Sequence, residues 1–291
     1  MTVIESILLG IVQGITEFLP VSSSGHLAII QNIFHIETNG SMLFDIMLHL
    51  GTLVAVFAVY RKDIWKMILE ALYMCADLFS NLRIWILNQI HKTSLPYKKI
   101  VHNNYRKFVV LILVSTIPTG LIGVLGKGLI EAVSQTLLIP GICLWITGVL
   151  LMMADVAKEG KDLPRNVSYK SGVLIGAVQG FATLPGISRS GATITACILC
   201  GLERKFAVKY SFILSIPAIL GAAVLEIKDV LAEPIVLADV GIYLIGTVFA
   251  AAVGYICIKT MLVVVRNKKF KYFSWYCYAV GAVAIAGHFL L

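Results

Sequence analysis

The strongest constraint on this chain is a motif written twice. GIVQGITEFLPVSSSGH, Gly10 to His26, recurs as GAVQGFATLPGISRSGA, Gly176 to Ala192. Gly10, Val12, Gln13, Gly14, Ser22, Ser24 and Gly25 return 166 positions later as Gly176, Val178, Gln179, Gly180, Ser188, Ser190 and Gly191. Each copy reads as an apolar half-helix stopped at a Leu-Pro step, then a Ser/Gly turn that opens a second half-helix. In the first copy Gln13 and Glu17 stand at i and i+4 and share a helix face. The same broken hairpin in both halves of one chain implies a fold that brings the two copies together.

The surroundings of these hairpins are a membrane. Of the 291 residues 58% are hydrophobic and 14% charged, against about a quarter charged in soluble domains. Six stretches, 42–60, 108–126, 135–154, 206–226, 241–265 and 272–291, approach the ~20 apolar residues a spanning helix needs. Stretches 3–34 and 171–202 are each broken midway by Pro, Gly and Ser. The N-terminus does not read as a signal peptide, since it lacks a basic segment and Glu5 and Glu17 interrupt its apolar run. The net charge of +8 raises nucleic-acid binding as a class, but these charges flank spans and the reading is set aside. Cys197 and Cys200 form a CxxC inside an apolar run with no second pair, which reads as structural rather than as zinc or redox chemistry.

No Lys or Arg precedes Arg61, and the basic residues cluster in 61–107, 158–170, 204–209 and 259–271. Such clusters mark cytoplasmic loops. Both flanks of 171–202 are then cytoplasmic, so that hairpin enters and leaves on one side, and hairpin 3–34 enters from the other. The expectation is an all-α integral membrane protein: six transmembrane helices plus two re-entrant hairpins in an inverted-topology repeat. It forms one polytopic domain, 1–291, with repeat halves near 1–126 and 135–291. Residues 61–107, with Trp65, Lys66, Arg83 and Trp85, read as an insertion of helices lying on the cytoplasmic interface. The pairs Gly10/Gly14 and Gly172/Gly176/Gly180 carry the small-residue spacing of close helix contacts.

Glu17, His26 and Arg189 are the ionisable groups lodged in the hairpins, and a charge at that depth costs roughly 2.5–3.5 kcal/mol on insertion scales. Each therefore needs a partner or a task. The turns around Ser22, Ser23, Ser24 and Gly25, and around Ser188, Ser190, Gly191 and Thr193, present hydroxyls and N–H groups at helix starts. Such sites cap helices and also bind phosphate, and Arg189 adds a planar fork for phosphate oxygens. His26 lies three residues beyond Ser23, on one helix face. Asp45 and His49 stand at i and i+4 and read either as contacts against the hairpins or as pocket lining. Lys127, Lys228 and Glu233 read as solvent-facing loop charges. From the residues alone this is a phosphate-handling membrane protein, hydrolase or transporter, whose guest is a lipid-linked diphosphate.

At QGITE (Gln13 to Glu17), PVSSSGH (Pro20 to His26), FDIMLHLGTL (Phe44 to Leu53) and PGISRSGAT (Pro185 to Thr193), the chain resembles the undecaprenyl-diphosphate phosphatase family, known for bacitracin resistance. The resemblance runs the length of the chain. It implies hydrolysis of undecaprenyl diphosphate to undecaprenyl phosphate and inorganic phosphate, recycling the lipid carrier for peptidoglycan and related polymers. It implies the bacterial cytoplasmic membrane, a site open to the outer face and a homodimer. Carried over by residue, Ser23 is the nucleophile, although the motif does not separate it from His26, which moves protons or stabilises the phosphorylated state. Arg189, with Ser188 and Thr193, clamps the phosphates, and Glu17 orients His26 or acts as base. Gln13, Ser22, Ser24, Gly25, Ser190 and Gly191 complete the phosphate site. Position 13 is Gln where many members have Glu. Glu17 alone is a poor dedicated metal site, so a divalent cation, Mg²⁺ or Ca²⁺, is expected to arrive on the diphosphate, with no organic cofactor. The rival reading is a polyprenyl-phosphate carrier or flippase, since broken-helix inverted repeats are the plan of many transporters.

Overall fold

The computed structural model describes residues 1–33, 42–134, 136–158, 160–232 and 237–290. Ten helices follow in order: α1 Val3–Phe18, α2 Ser23–Ile33, α3 Met42–His91, α4 Asn104–Ser134, α5 Leu138–Val156, α6 Tyr169–Phe181, α7 Arg189–Leu199, α8 Arg204–Ala232, α9 Leu237–Arg266 and α10 Phe270–Leu290. Among the described residues the only bridge between extended segments is an isolated one, Asp162 with Leu202. Five helices, α3, α4, α5, α8 and α9, contain segments long and apolar enough to cross a membrane. The chain is an all-helical, multi-pass membrane protein.

The sixth expected span, 272–291, falls on α10. That helix has 21 residues, the last of them at the edge of the described residues, and it is not among the five. Lys127 and Lys228 lie within α4 and α8 rather than in loops; Glu233 lies outside the described residues, as do Phe34 at the end of the first hairpin and Leu291.

The insertion begins as a continuation of its span. No Gly or Pro occurs between Gly51 and Pro96, so nothing stops the helix at residue 60. It continues to His91 past a kink at Tyr60 (φ −101°, ψ 16°). Residues beyond His91 run back along it, with Asn81 Nδ2 donating to Lys98 O at 2.9 Å and Asn88 Nδ2 to Leu95 O at 3.1 Å. Arg106 locks this return through Glu70 at 2.8 Å and Asp77 at 2.6 Å.

The broken hairpins appear as four short helices: α1 and α2 of 16 and 11 residues, α6 and α7 of 13 and 11. None reaches the ~20 residues of a full crossing. Both ends of α7 are displaced from those of α2 by 166 residues, and α6 starts 166 residues after α1. Contacts repeat as well: α1 packs on α9 as α6 packs on α4, and α5 packs on α10. Matched in order, α1–α5 correspond to α6–α10. The repeat unit is thus read as five helices, which moves the 135–154 span from the second half to the first.

The seams that hold the half-helices are built on glycine. A methyl group added at Gly10 would meet the Gly246 carbonyl oxygen of α9, and one added at Gly14 the Ala250 carbonyl oxygen. In the equivalent seam Gly176 faces the Ser115 carbonyl of α4, and Gly180 faces the Ile122 side chain. Backbones this close exchange hydrogen bonds with small side chains. Ser6 Oγ donates to Ile242 O at 2.6 Å, Ser115 Oγ to Gly172 O at 2.6 Å and Thr119 Oγ1 to Gly176 O at 2.8 Å. Lipid offers no hydrophobic drive for helix association, so such contact is what fixes α1 and α6 in place.

Gly176→Val should lower thermal stability in detergent by about 1–3 kcal/mol or more, as overpacking of a tight contact does. Gly123→Ala, where nothing lies within 4 Å of an added methyl, should be neutral or stabilising. Equal melting of the two variants would refute the seam.

Candidate active site

Each hairpin breaks for a local reason. Pro20 lacks an N–H and biases Leu19 away from helix, and Leu19 takes an extended conformation at the end of α1. Ser22 then adopts φ +71°, a left-handed conformation costly for a residue with a Cβ. The strain turns the chain so that α2 starts directly beneath α1. In the second copy Gly186, φ +91°, makes the turn without that cost.

The two turns reproduce one hydrogen-bond pattern. Gly25 N donates to Ser22 Oγ at 3.4 Å, and Gly191 N to Ser188 Oγ at 3.1 Å. Ser22 and Ser24 hydroxyls lie 3.4 Å apart, Ser188 and Ser190 hydroxyls 3.3 Å. The tips also touch. A methyl on Gly25 would sit 3.8 Å from Gly186 Cα, and one on Gly191 would sit 3.1 Å from Pro20 Cβ. The N-termini of α2 and α7 therefore converge, bringing two positive dipole ends to one place.

Glu17 is the centre of what they enclose, only 6% exposed. One carboxylate oxygen, Oε1, accepts a short hydrogen bond from Arg189 Nη2 of the opposite repeat. The other, Oε2, accepts from Ser23 Oγ at 2.6 Å and from Gln13 Nε2 at 3.1 Å. His49 Nε2 stands 4.0 Å from the same oxygen. Two buried atoms at this centre, Arg189 Nη1 and Gln13 Oε1, have no hydrogen-bond partner in the structure. Buried polar groups are normally satisfied, so an unpaired guanidinium nitrogen between two helix N-termini points to an anion as guest.

The expected residues thus separate. Glu17, Ser23, Arg189 and Gln13 meet directly. Ser22, Ser24, Gly25, Ser188, Ser190 and Gly191 form the paired turns around them. Thr193 does not join: it is fully buried, its hydroxyl donating to Arg189 O at 2.7 Å and lying 2.5 Å from Ser211 Oγ. It braces α7 against α8. His26 is bonded to neither Ser23 nor Glu17. Its Nδ1 lies 2.7 Å from Ser22 O and its Nε2 2.7 Å from Tyr276 OH. A carbonyl can only accept, so Nδ1 carries the hydrogen, and in the neutral ring Nε2 accepts from the phenol.

Two further side chains reach the centre or its neighbours, His49 and Tyr276. Of the two readings of the Asp45/His49 pair, His49 takes the pocket: it is anchored by Nδ1 donation to Asp45 O at 2.8 Å and aimed at Glu17. Asp45 contributes that carbonyl, while its side chain is exposed. Tyr276, 250 residues from His26, stacks on the imidazole with ring planes 11° apart, and nothing in the sequence singles it out.

The donor set does not fit a resident metal. Among the described residues no group of three or more His, Cys, Asp or Glu could hold an ion. Glu17, the one candidate ligand, already has both oxygens engaged, and Gln13 adds only a neutral amide oxygen.

The chain is similar to known proteins over nearly its whole length. A family model described as "Bacitracin resistance protein BacA" matches residues 6–283. A protein named undecaprenyl-diphosphatase from Alkaliphilus metalliredigens (strain QYMF) is 40% identical over 285 residues, covering 98% of each chain. One of the same name from Methanosphaera stadtmanae is 37% identical over 283 residues, 97% of each. Undecaprenyl-diphosphatase 4 from Bacillus thuringiensis (strain Al Hakam) is 35% identical over 282 residues, 97% of this chain and 96% of the relative.

Removing one member of a buried ion pair costs about 3–5 kcal/mol, because the remaining charge is stranded. Arg189→Met should therefore destabilise strongly in thermal melts, and Glu17→Gln/Arg189→Met should recover most of the loss. A double variant as unstable as the single one would show that the pair does not hold the hairpins together.

Proposed function

Because the chain belongs to the BacA bacitracin resistance family, we propose that Ser23, Glu17 and Arg189 are the machinery with which it acts as an undecaprenyl-diphosphatase. The protein hydrolyses undecaprenyl diphosphate to undecaprenyl phosphate and inorganic phosphate, which returns the lipid carrier to cell-wall synthesis and underlies bacitracin resistance. The observation that carries the residue assignment is the Ser23 Oγ–H donated to Glu17 beside the unpaired nitrogen of Arg189. A hydroxyl handing its proton to a buried carboxylate is an activated nucleophile, and a guanidinium with a free N–H beside it is a phosphate clamp.

In this reading the terminal phosphate enters between α2 and α7 and takes up Arg189 Nη1 and the helix N-termini. Glu17 removes the Ser23 proton as Oγ bonds to the terminal phosphorus, and the bond from that phosphorus to the bridging oxygen breaks. Undecaprenyl phosphate leaves with the electron pair. Glu17 gives the Ser23 proton up to the departing phosphate and is a carboxylate again. It then takes a proton from water as the water oxygen bonds to phosphorus, and the Ser23–phosphorus bond breaks with its electron pair on Oγ. Glu17 returns that proton to Oγ as inorganic phosphate leaves. Of the two roles open to Glu17, base is the one its contact with Ser23 supports. His26 supplies or takes protons one turn along α2, with Tyr276 holding its Nε2. Any divalent cation enters on the diphosphate.

We extend the proposal to the setting. Six crossings and two re-entrant hairpins place the site near mid-membrane, opening to the outer face of the bacterial cytoplasmic membrane, with 61–107 on the cytoplasmic side and a homodimer as the working unit. The basic residues from Arg61 onward support that orientation.

Phosphate release from a polyprenyl diphosphate by purified protein tests the chemistry. Ser23→Ala and Glu17→Gln should each lose about a hundredfold or more, the scale of a positioned proton transfer. Retained turnover in Ser23→Ala would move the nucleophile to His26. Wild-type silence, combined with polyprenyl-phosphate transport in liposomes, would favour the carrier reading. Tyr276→Phe should lower kcat up to about tenfold with KM little changed, as loss of one hydrogen bond does, and should alter the pH profile; an unchanged profile would make Tyr276 a packing residue.

A further inference from the structure

A second charged site lies far from Glu17, on the outer surface of the helix that carries His49. Arg61 stands twelve residues beyond His49, about 18 Å along a helix, just past the kink of α3 at Tyr60, where an open cleft of about 560 Å³ forms against α9. Arg61, Lys62, Lys259 and Tyr255 line it, together with Asp63 and the backbone neighbours Ala58 and Val59. The negative charge in this set is already committed: Asp63 Oδ1 receives Lys209 Nζ at 2.9 Å and Tyr105 OH at 3.0 Å. The cations are not. Among the described residues none of Arg61, Lys62 and Lys259 forms an ion pair with a carboxylate, and Lys259 instead rests 4.3 Å over the Tyr255 ring.

Three cations without a carboxylate partner converge on one cleft, and like charges held this close favour an anion between them. The depth identifies which kind. From a site near mid-membrane, 18 Å slightly exceeds half of the ~30 Å hydrocarbon core, so the cleft sits at headgroup level. Exposed Trp65, one turn past Arg61, and Tyr255, 36% exposed, are the aromatic residues expected at that level. Basic pockets between spanning helices on this side take phosphate-bearing headgroups. The cleft is open rather than enclosed, as a ligand tethered to the bilayer requires.

We propose that Arg61, Lys62 and Lys259 form a binding site for a phosphate group at the membrane interface, separate from the catalytic centre, and that its carrier is the headgroup of an anionic phospholipid. The site rests on the membrane reading of the fold and is independent of the phosphatase reading. The cleft is lined by α3 and α9 alone, with no residue of the hairpins among them, so replacing the three cations leaves the chemistry at Ser23 in place.

The test uses full-length protein in nanodiscs of phosphatidylcholine doped with phosphatidylglycerol. Phosphatidylglycerol retained after release from the disc is counted by native mass spectrometry. Arg61→Gln/Lys62→Gln/Lys259→Gln should retain at least about tenfold less than wild type, while Arg61→Lys/Lys259→Arg should retain it. Hydrolysis of polyprenyl diphosphate in detergent serves as the folding control and should be unchanged in both variants. A second arm adds inorganic phosphate to lipid-free protein and follows thermal stability. Stabilisation of wild type but not of the triple variant, without selective lipid retention, would uphold the phosphate site and assign it to free phosphate. Equal lipid retention in all three proteins, with no effect of inorganic phosphate, would overturn the proposal.

Discussion

A carboxylate that is 6% exposed inside a membrane protein cannot stand alone, and much of this structure follows from what Glu17 requires. Desolvating one charge costs several kcal/mol unless a partner of good geometry is present. The partner, Arg189, is 172 residues away, at the first position of a helix in the other repeat. Bringing it within reach means that two broken hairpins must meet tip to tip. That in turn depends on α1 and α6 seating deeply against α9 and α4, through glycines that let backbone touch backbone. The chain of cause runs from small residues in the seams to one ion pair, and from that pair to a hydroxyl held against a base.

The repeats agree in scaffold and differ in chemistry. Both turns keep the serine hydroxyl that caps a glycine amide and the second serine beside it. At the position between those serines one copy has Ser23 and the other Arg189; where the first has Glu17 and His26, the second has Thr183 and Ala192. The proposed nucleophile and base thus belong to one hairpin and the proposed phosphate-binding cation to the other. The backbones of the turns differ: Ser22 takes a left-handed conformation with a side chain, whereas its counterpart Ser188 does not, and the second copy places its left-handed residue two positions earlier, at Gly186. Strain is found in the copy that carries Ser23.

Much of this was legible in the sequence because it is local or repeated. The hairpin breaks announce themselves in Leu19-Pro20 and Leu184-Pro185, the close seams in glycine spacing, and Glu17, His26 and Arg189 in the rarity of charge within apolar stretches. What was not legible depends on which faces meet. Thr193 sits inside a phosphate-binding motif, yet α7 turns it toward Ser211. Tyr276 looks like any interfacial tyrosine until α10 lies beside α2. His49 could have been packing or pocket, and only the approach of α3 to α1 decides between them. The length of α3 was hidden for another reason: the basic residues after Tyr60 mark where the membrane ends, not where the helix does.

The division of the site between hairpins also says where the protein's working unit begins. The bonds at Glu17 that matter to the chemistry are made partly within α1–α2 and partly across to α7, and the contact across is noncovalent. Covalent continuity between the fifth and sixth helices therefore contributes proximity, not geometry. The site is a property of an interface between two five-helix units, each chemically incomplete until it meets the other.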